Sequence, residues 1–255
     1  MIQVENLHKS FGKVNALKGV SFTAPNGQIT GLLGPNGAGK TTCLRILYTL
    51  LHPDQGWTKI DGLNPLKDTL EVQRHIGALP DSHGLYPRLT TRENIRYYGQ
   101  LHGLRGEELE KRIDRLIQLL DMQDIELRRT DGFSSGQRVK VAIARALVHQ
   151  PQNVLLDEPT NGLDVMSTRS MRTFIRGLRD EGKCILLSSH IMQEISALCD
   201  NIVILNRGEV VASGTPEDIL SSTGKLNLED ALLLRLDRRR DWNDESFPAT
   251  HLHRV

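Results

Sequence analysis

No run of hydrophobic residues in this 255-residue chain is longer than four, as at Ile202 to Leu205. That is far short of the ~20 that carry a helix across a bilayer. The opening segment, MIQVENLHKSFGK, has no apolar stretch ahead of a small-residue cleavage site, so no secretory signal is expected there. An excess of one charge is also missing, since 32 Lys and Arg face 31 Asp and Glu for a net charge of +1. Proteins that grip nucleic acid through its phosphates carry a basic excess, so no nucleic-acid partner is expected. Cysteine is scarce and odd in number: Cys43, Cys184 and Cys199, without CxxC spacing. That excludes a disulfide framework and a zinc site, and Cys43 and Cys184 read as small buried hydrophobes. No repeat with a period of 20–50 residues and no low-complexity tract interrupts the first 220 positions.

What is present is ordinary for a globular protein: 38% hydrophobic residues, 25% charged residues and 22 glycines. The length suits one large domain or two small ones, and a soluble chain of cytosolic character is expected. Short strands open it, Ile2 to Glu5 and Val14 to Ala24, with a Pro25-Asn26-Gly27 turn before a strand at Gln28 to Leu33. From Lys40 the pattern turns helical, with Leu44, Leu47, Leu50 and Leu51 at three- and four-residue spacing. Between Thr91 and Leu127 the chain reads as all helical, with Leu109, Ile113, Leu116, Ile117 and Leu120 on one face. Strands and helices then alternate: a strand at Asn153 to Asp157, a helix from about Ser167, strands at Cys184 to Ser188 and Asn201 to Leu205. Such alternation implies βαβ units and a mainly parallel sheet.

The chemistry begins at Gly34-Pro35-Asn36-Gly37-Ala38-Gly39-Lys40-Thr41, a complete G-x-x-x-x-G-K-[ST] between a strand and a helix. Its glycines let successive N–H groups turn inward around phosphate oxygens. Lys40 supplies a cation for the β- and γ-phosphates, and the Thr41 hydroxyl can ligate Mg²⁺. The motif alone implies nucleoside triphosphate binding. The apolar strand ending in Asp157-Glu158 delivers a carboxylate to the edge where that metal would sit. Asp157 suits the metal, and Glu158, pointing differently, can accept a proton from an attacking water.

Phe133-Ser134-Ser135-Gly136-Gln137, 20 residues before Asp157, resembles the LSGGQ signature of ATP-binding-cassette (ABC) ATPases. Further family marks follow in order. Asn161-Gly162-Leu163-Asp164 resembles the D-loop, Ser188-Ser189-His190 the strand end carrying the switch histidine, and Phe11 the aromatic that stacks on adenine. The resemblance covers about residues 1–220. It implies an α/β P-loop NTPase of RecA-like type, with a mainly parallel sheet, an N-terminal antiparallel β subdomain and an inserted helical subdomain at about 91–150. The remaining residues, 221–255, form an extension, and 237–255, with Arg238-Arg239-Arg240, read as a mobile tail.

The resemblance also implies a shared site. In the family, two nucleotide-binding domains pack head to tail, and each ATP lies between the loop of one and the signature of the other. Carried over, Gly34 to Thr42 with Phe11 would hold ATP, and Ser134, Ser135, Gly136 and Gln137 would close on its γ-phosphate from a second chain. Glu158 would be the general base, with Lys40 and His190 holding the γ-phosphate or water, and Thr41, Asp157 and Asp81 would surround Mg²⁺. Three positions depart from the family pattern: Phe133 stands for Leu, Ser135 stands for Gly, and Asp81 stands where a glutamine is usual. The GLYPRLTTRENI stretch resembles the branch that serves sodium-export and multidrug-export permeases. The expected protein is therefore the ATP-hydrolysing subunit of an exporter, peripheral on the cytoplasmic face of the membrane. Its expected partners are an integral-membrane permease and a second copy of itself or a paralogous ATPase. The alternative is a soluble ABC-type ATPase acting on ribosomes, DNA or Fe–S assembly. Translation-type members usually carry two cassettes, and DNA-repair types need a long coiled coil, which this sequence lacks. A GTPase or small-molecule kinase would leave the signature unexplained, and no NKxD motif is present.

Overall fold

The computed structural model describes residues 1–81, 84–224 and 230. The tail expected at 237–255, with Arg238-Arg239-Arg240, lies outside the described residues. Strands β1 (Ile2–Phe11) and β2 (Val14–Ala24) pair antiparallel, and β4 (Gln55–Ile60) adds to the other side of β1. The first strand runs well past Glu5. Asn6 takes a left-handed φ of 47°, and the pairing shifts register there, which returns Leu7 to the buried face occupied by Ile2 and Val4. A period-2 reading breaks at that bulge. Strand β4 is hard to see in sequence because only Thr58 and Ile60 of its six residues are buried.

The main sheet has the order β5-β6-β7-β3-β8-β9. Its strands are β3 (Gln28–Leu33), β5 (Ile76–Leu79), β6 (Asn153–Asp157), β7 (Cys184–Ser189), β8 (Asn201–Asn206) and β9 (Glu209–Gly214). All neighbours are parallel except β8 and β9. Strands β6 and β7 are buried at every residue, as parallel strands covered on both faces must be. Along β6, Val154 and Leu156 join a core shared with the helical layer, while Leu155 joins the core under the antiparallel sheet. Helix α1 (Lys40–Leu47) packs in that second core and ends before Leu50, which is 65% exposed, because Thr49 turns left-handed. Helix α2 (Thr69–His75) leads into β5.

Between β5 and β6 stand α3 (Thr91–Leu101), α4 (Gly106–Leu119) and α5 (Ser135–Leu147). A reciprocal Thr90–Glu93 capping box starts α3. Arg92 binds α3 to its neighbours through Glu110 at 2.8 Å, Asp114 at 2.5 Å and Glu126 at 2.6 Å. Leu109, Ile113, Leu116 and Ile117 give α4 the expected buried face. Helices α6 (Val165–Asp180), α7 (Met192–Leu198) and α8 (Pro216–Thr223) complete the described chain. Among the described residues no helix is long and apolar enough to cross a membrane. All three cysteines are free and buried, and burial pushes the Cys43 thiol up to about 12.

The register of the central strands decides where chemistry can occur. Ser188 lies level with Asp157, and Ser189 lies level with Leu33, the last residue of β3. The loop after β3, the acids after β6 and the histidine after β7 therefore leave the sheet side by side at its C-terminal edge.

Candidate functional site

The loop between β3 and α1 is tightly cradled. A Cβ on Gly34 would lie 2.3 Å from the Leu205 carbonyl oxygen, and one on Gly39 would lie 2.6 Å from that of Ala16. Gly39 also takes a φ of 106°, so both positions exclude larger residues. Gly39 caps α1 without a side chain, which leaves the first N–H groups of the helix for an anion. Lys40 is 6% exposed; its Nζ donates to the Gly34 carbonyl at 2.8 Å and to Pro35 at 3.3 Å, and lies 3.6 Å from Glu158 Oε1.

The acids beside it are arranged by β7. Ser188 Oγ donates to Asp157 Oδ1 at 2.6 Å and accepts from the Glu158 amide at 3.0 Å. Glu158 holds a left-handed φ of 52°, a conformation that costs a non-glycine residue energy and recurs at functional sites. Its Oε2 meets His190 Nδ1 at 3.0 Å, so Lys40, Glu158 and His190 form one contiguous group. Burial, joined by the charges of Asp81 and Glu158, holds the Asp157 carboxyl above the usual carboxylate range, although its bonds from Ser188 and Thr41 oppose this. Among the described residues no cation is paired with Asp157. Thr41 Oγ1 lies 3.4 Å from Asp157 Oδ1. These are hard oxygen donors around a surplus of negative charge, which is the donor set a Mg²⁺ ion takes.

A cleft of about 640 Å³ brings Lys40, Glu158 and His190 together with Phe11, Asn36 to Thr42 and Asp81. Phe11 is 48% exposed at its mouth, with Lys9 Nζ 5.6 Å from its ring centre. The cleft also includes Asn161, the first residue of the D-loop-like stretch, and Lys18 and Arg207, which no motif singles out. Arg207 sits at a left-handed turn between β8 and β9, and Lys18 donates its amide to Gly208 there, so both arrive by hairpin geometry. Of the residues expected at the site, Asp81 shares this cleft and also lines a neighbouring one with Ser135 and Arg138.

Ser134, Ser135, Gly136 and Gln137 are elsewhere. They line a separate cleft of about 540 Å³ with Asp121, Asp124, Lys140 and Asp164, and the two clefts have no residue in common. Ser134 caps α5 in a reciprocal box with Gln137, accepting its amide at 3.2 Å while its own amide donates to the Gln137 side chain at 3.1 Å. Ser135 replaces glycine at no backbone cost, because it lies in the helix and not at a positive φ. Its Oγ would lie 3.2 Å from a Cβ on Gly162, which takes a φ of 72° in the loop before α6. The side chain thus rests on that loop.

The ABC transporter family model matches residues 17–161. The ABC transporter ATP-binding protein NatA of Bacillus subtilis (strain 168) is 45% identical over 226 residues, covering 88% of this chain and 92% of that protein. The linearmycin resistance ATP-binding protein LnrL of the same organism is 35% identical, over 88% of this chain and 72% of that one. Among solved structures, a dimeric ATP-binding cassette in a post-hydrolysis state with ADP and Pi superposes with a TM-score of 0.78 at 28% identity, covering 84% of this chain and 98% of that one.

Proposed function

The chain belongs to the ABC transporter family, as the subunit that binds and hydrolyses ATP, and we propose that it works in a head-to-tail pair, with a second copy or a paralogous ATPase, beneath a membrane permease whose export it powers. One observation supports the paired arrangement. The phosphate-loop cleft and the Ser134–Gln137 cleft have no lining residue in common, which suits an ATP held between two chains. The likeness to a dimeric cassette supports it, and a relative named Nod factor export ATP-binding protein I supports export. Cassette, helical subdomain and extension are divided at 1–220, about 91–150 and 221–255, with the pair peripheral on the cytoplasmic side.

The geometry supports the following roles. Gly34 to Thr42 wraps the phosphates with backbone N–H groups, Lys40 exchanges its carbonyl partners for phosphate oxygens, and Phe11 lies under the adenine. Thr41, Asp157 and Asp81 would hold Mg²⁺, which neutralises phosphate charge when bound. Glu158 takes the proton of the attacking water, and His190, 3.0 Å away, keeps that carboxylate and the γ-phosphate in register. Ser134 and the first amides of α5 close on the γ-phosphate from the partner.

The test is Glu158→Gln. That variant should bind ATP, lose at least about a hundredfold in turnover, and accumulate as a dimer under ATP by light scattering. A monomer at saturating ATP, with binding intact, would overturn the paired arrangement. Copurification with a polytopic membrane protein, as opposed to ribosomes, tests the transporter role in the cell.

A further inference from the structure

Glu194, on α7, is 9% exposed. Its Oε2 accepts hydrogen bonds from Thr160 Oγ1 at 2.5 Å and from Ser189 Oγ at 3.1 Å. Thr160 lies two residues past Glu158 and Ser189 immediately precedes His190, and both are buried. Ser189 Oγ also accepts from the Ile191 amide at 3.0 Å, which ties down the far side of His190. A single carboxylate oxygen therefore joins the segment bearing Glu158 to the segment bearing His190. No cation pairs with Glu194 among the described residues. A buried, unpaired carboxylate is costly, and an apolar side chain of similar volume would pack there at less expense. Its presence needs a reason other than stability.

The reason lies in what the neighbouring bonds leave loose. Ser188 fixes the near side of the turn after β6, through Asp157 and the Glu158 amide. That clamp ends at the Glu158 amide; beyond it the Asn161 amide closes a turn on the Glu158 carbonyl at 3.1 Å, and Glu158 itself sits at a left-handed φ of 52°, which needs support on both sides. Glu194 grips that far side at Thr160. We infer that Glu194 is a positioning residue, which sets the separation of Glu158 and His190 by holding Thr160 and Ser189 on one oxygen. It touches neither nucleotide nor water. The inference rests on the reading of Glu158 and His190 as the reacting pair.

The experiment uses the full chain, with steady-state ATPase measured against ATP alongside thermal unfolding. Glu194→Met keeps the bulk but removes the oxygen on which two hydroxyl donors converge. It should lower kcat roughly tenfold to a hundredfold, since small misplacements of reacting groups cost that much, while KM stays within about twofold. Thr160→Val should do the same, and the two together should cost no more than either alone, because they break one link. An unchanged kcat, a KM that rises as kcat falls, or additive losses would each overturn the inference. If Glu194→Met fails to fold, Thr160→Val and Ser189→Ala carry the test with the same expected loss, and unchanged kcat in both overturns it. Glu158→Gln and His190→Ala run in parallel. If these two retain activity, the reading of the reacting pair fails; if they lose it while Glu194→Met does not, the positioning role alone fails.

Discussion

The phosphate loop and the Ser134–Gln137 segment both bring a helix N-terminus to a cleft, but they finish that end differently. At α1 the cap is a left-handed glycine with no side chain, so the orphan N–H groups are left for a ligand. At α5 the cap is a serine whose hydroxyl already accepts the Gln137 amide. The first is walled by Leu205 and Ala16 and faces Glu158 and His190. The second is exposed at Ser134 and Ser135, with acids Asp121, Asp124 and Asp164 nearby in place of any cation cluster. The contrast separates affinity from turnover. A site with a buried lysine and free amides can bind phosphate by itself. A capped, exposed helix end adds one more donor, the remaining O–H of Ser134, to an anion that something else has already localised.

Breaking the loop half should have the largest effect. Lys40→Ala removes the buried cation and should weaken ATP binding by about a hundredfold, on the scale of a charge-assisted hydrogen-bond set, as titration calorimetry would measure. Tight binding in that variant would mean the two halves share the task. Next, Ser134→Ala removes a cap worth ~1 kcal/mol, which lowers the melting temperature by about 2–4 °C in a chain of this size. ATP affinity of the isolated chain should stay unchanged while ATPase falls roughly tenfold. A parallel fall in affinity would erase the distinction drawn above.

The smallest effect is expected from Asp81→Gln, where the two halves approach each other. The charge of Asp81 helps to raise the Asp157 carboxyl, and a raised carboxyl takes up a proton at higher pH than usual. Protons should therefore compete with Mg²⁺ for Asp157 as the pH falls. Removing the Asp81 charge lowers that carboxyl, so Mg²⁺ activation should persist to lower pH in the variant than in the parent. Identical Mg²⁺ activation curves in parent and variant, at neutral and mildly acidic pH, would detach Asp81 from the metal.

Much of the loop half is legible in the sequence because it is contiguous. Gly34 to Thr41 lies between a strand and a helix, and Asp157-Glu158 ends an apolar strand, so local pattern and chemistry coincide. The residues that complete the cleft are not contiguous. Arg207 and Lys18 arrive through a hairpin and a cross-sheet bond, and neither has a neighbour in sequence that hints at phosphate. Ser188 and Glu194 read as strand-end and helix-surface residues until the register of β7 against β6 is known. Strand β1 reads short in sequence for the same reason: the bulge at Asn6 shifts the alternation, and only pairing with β2 and β4 shows that the strand continues. The helical stretch is legible through its apolar face, but its tie at Arg92 is a long-range network of three acids.

The level pairing of Ser188 with Asp157 and of Ser189 with Leu33 has a consequence for how this chain can evolve. Adding or deleting one residue within Cys184–Ser189 would slide His190 by about 3.3 Å and exchange the two faces of the strand. A serine would then stand at only one of the two positions, so either the contact to Asp157 or the contact to Glu194 would be lost. The helix-to-strand turn at Gly182 carries no such constraint, since a Cβ there would meet nothing within 4 Å. Length variation among descendants of this sequence should therefore collect in such turns and spare β7 altogether, whatever cargo those descendants come to move.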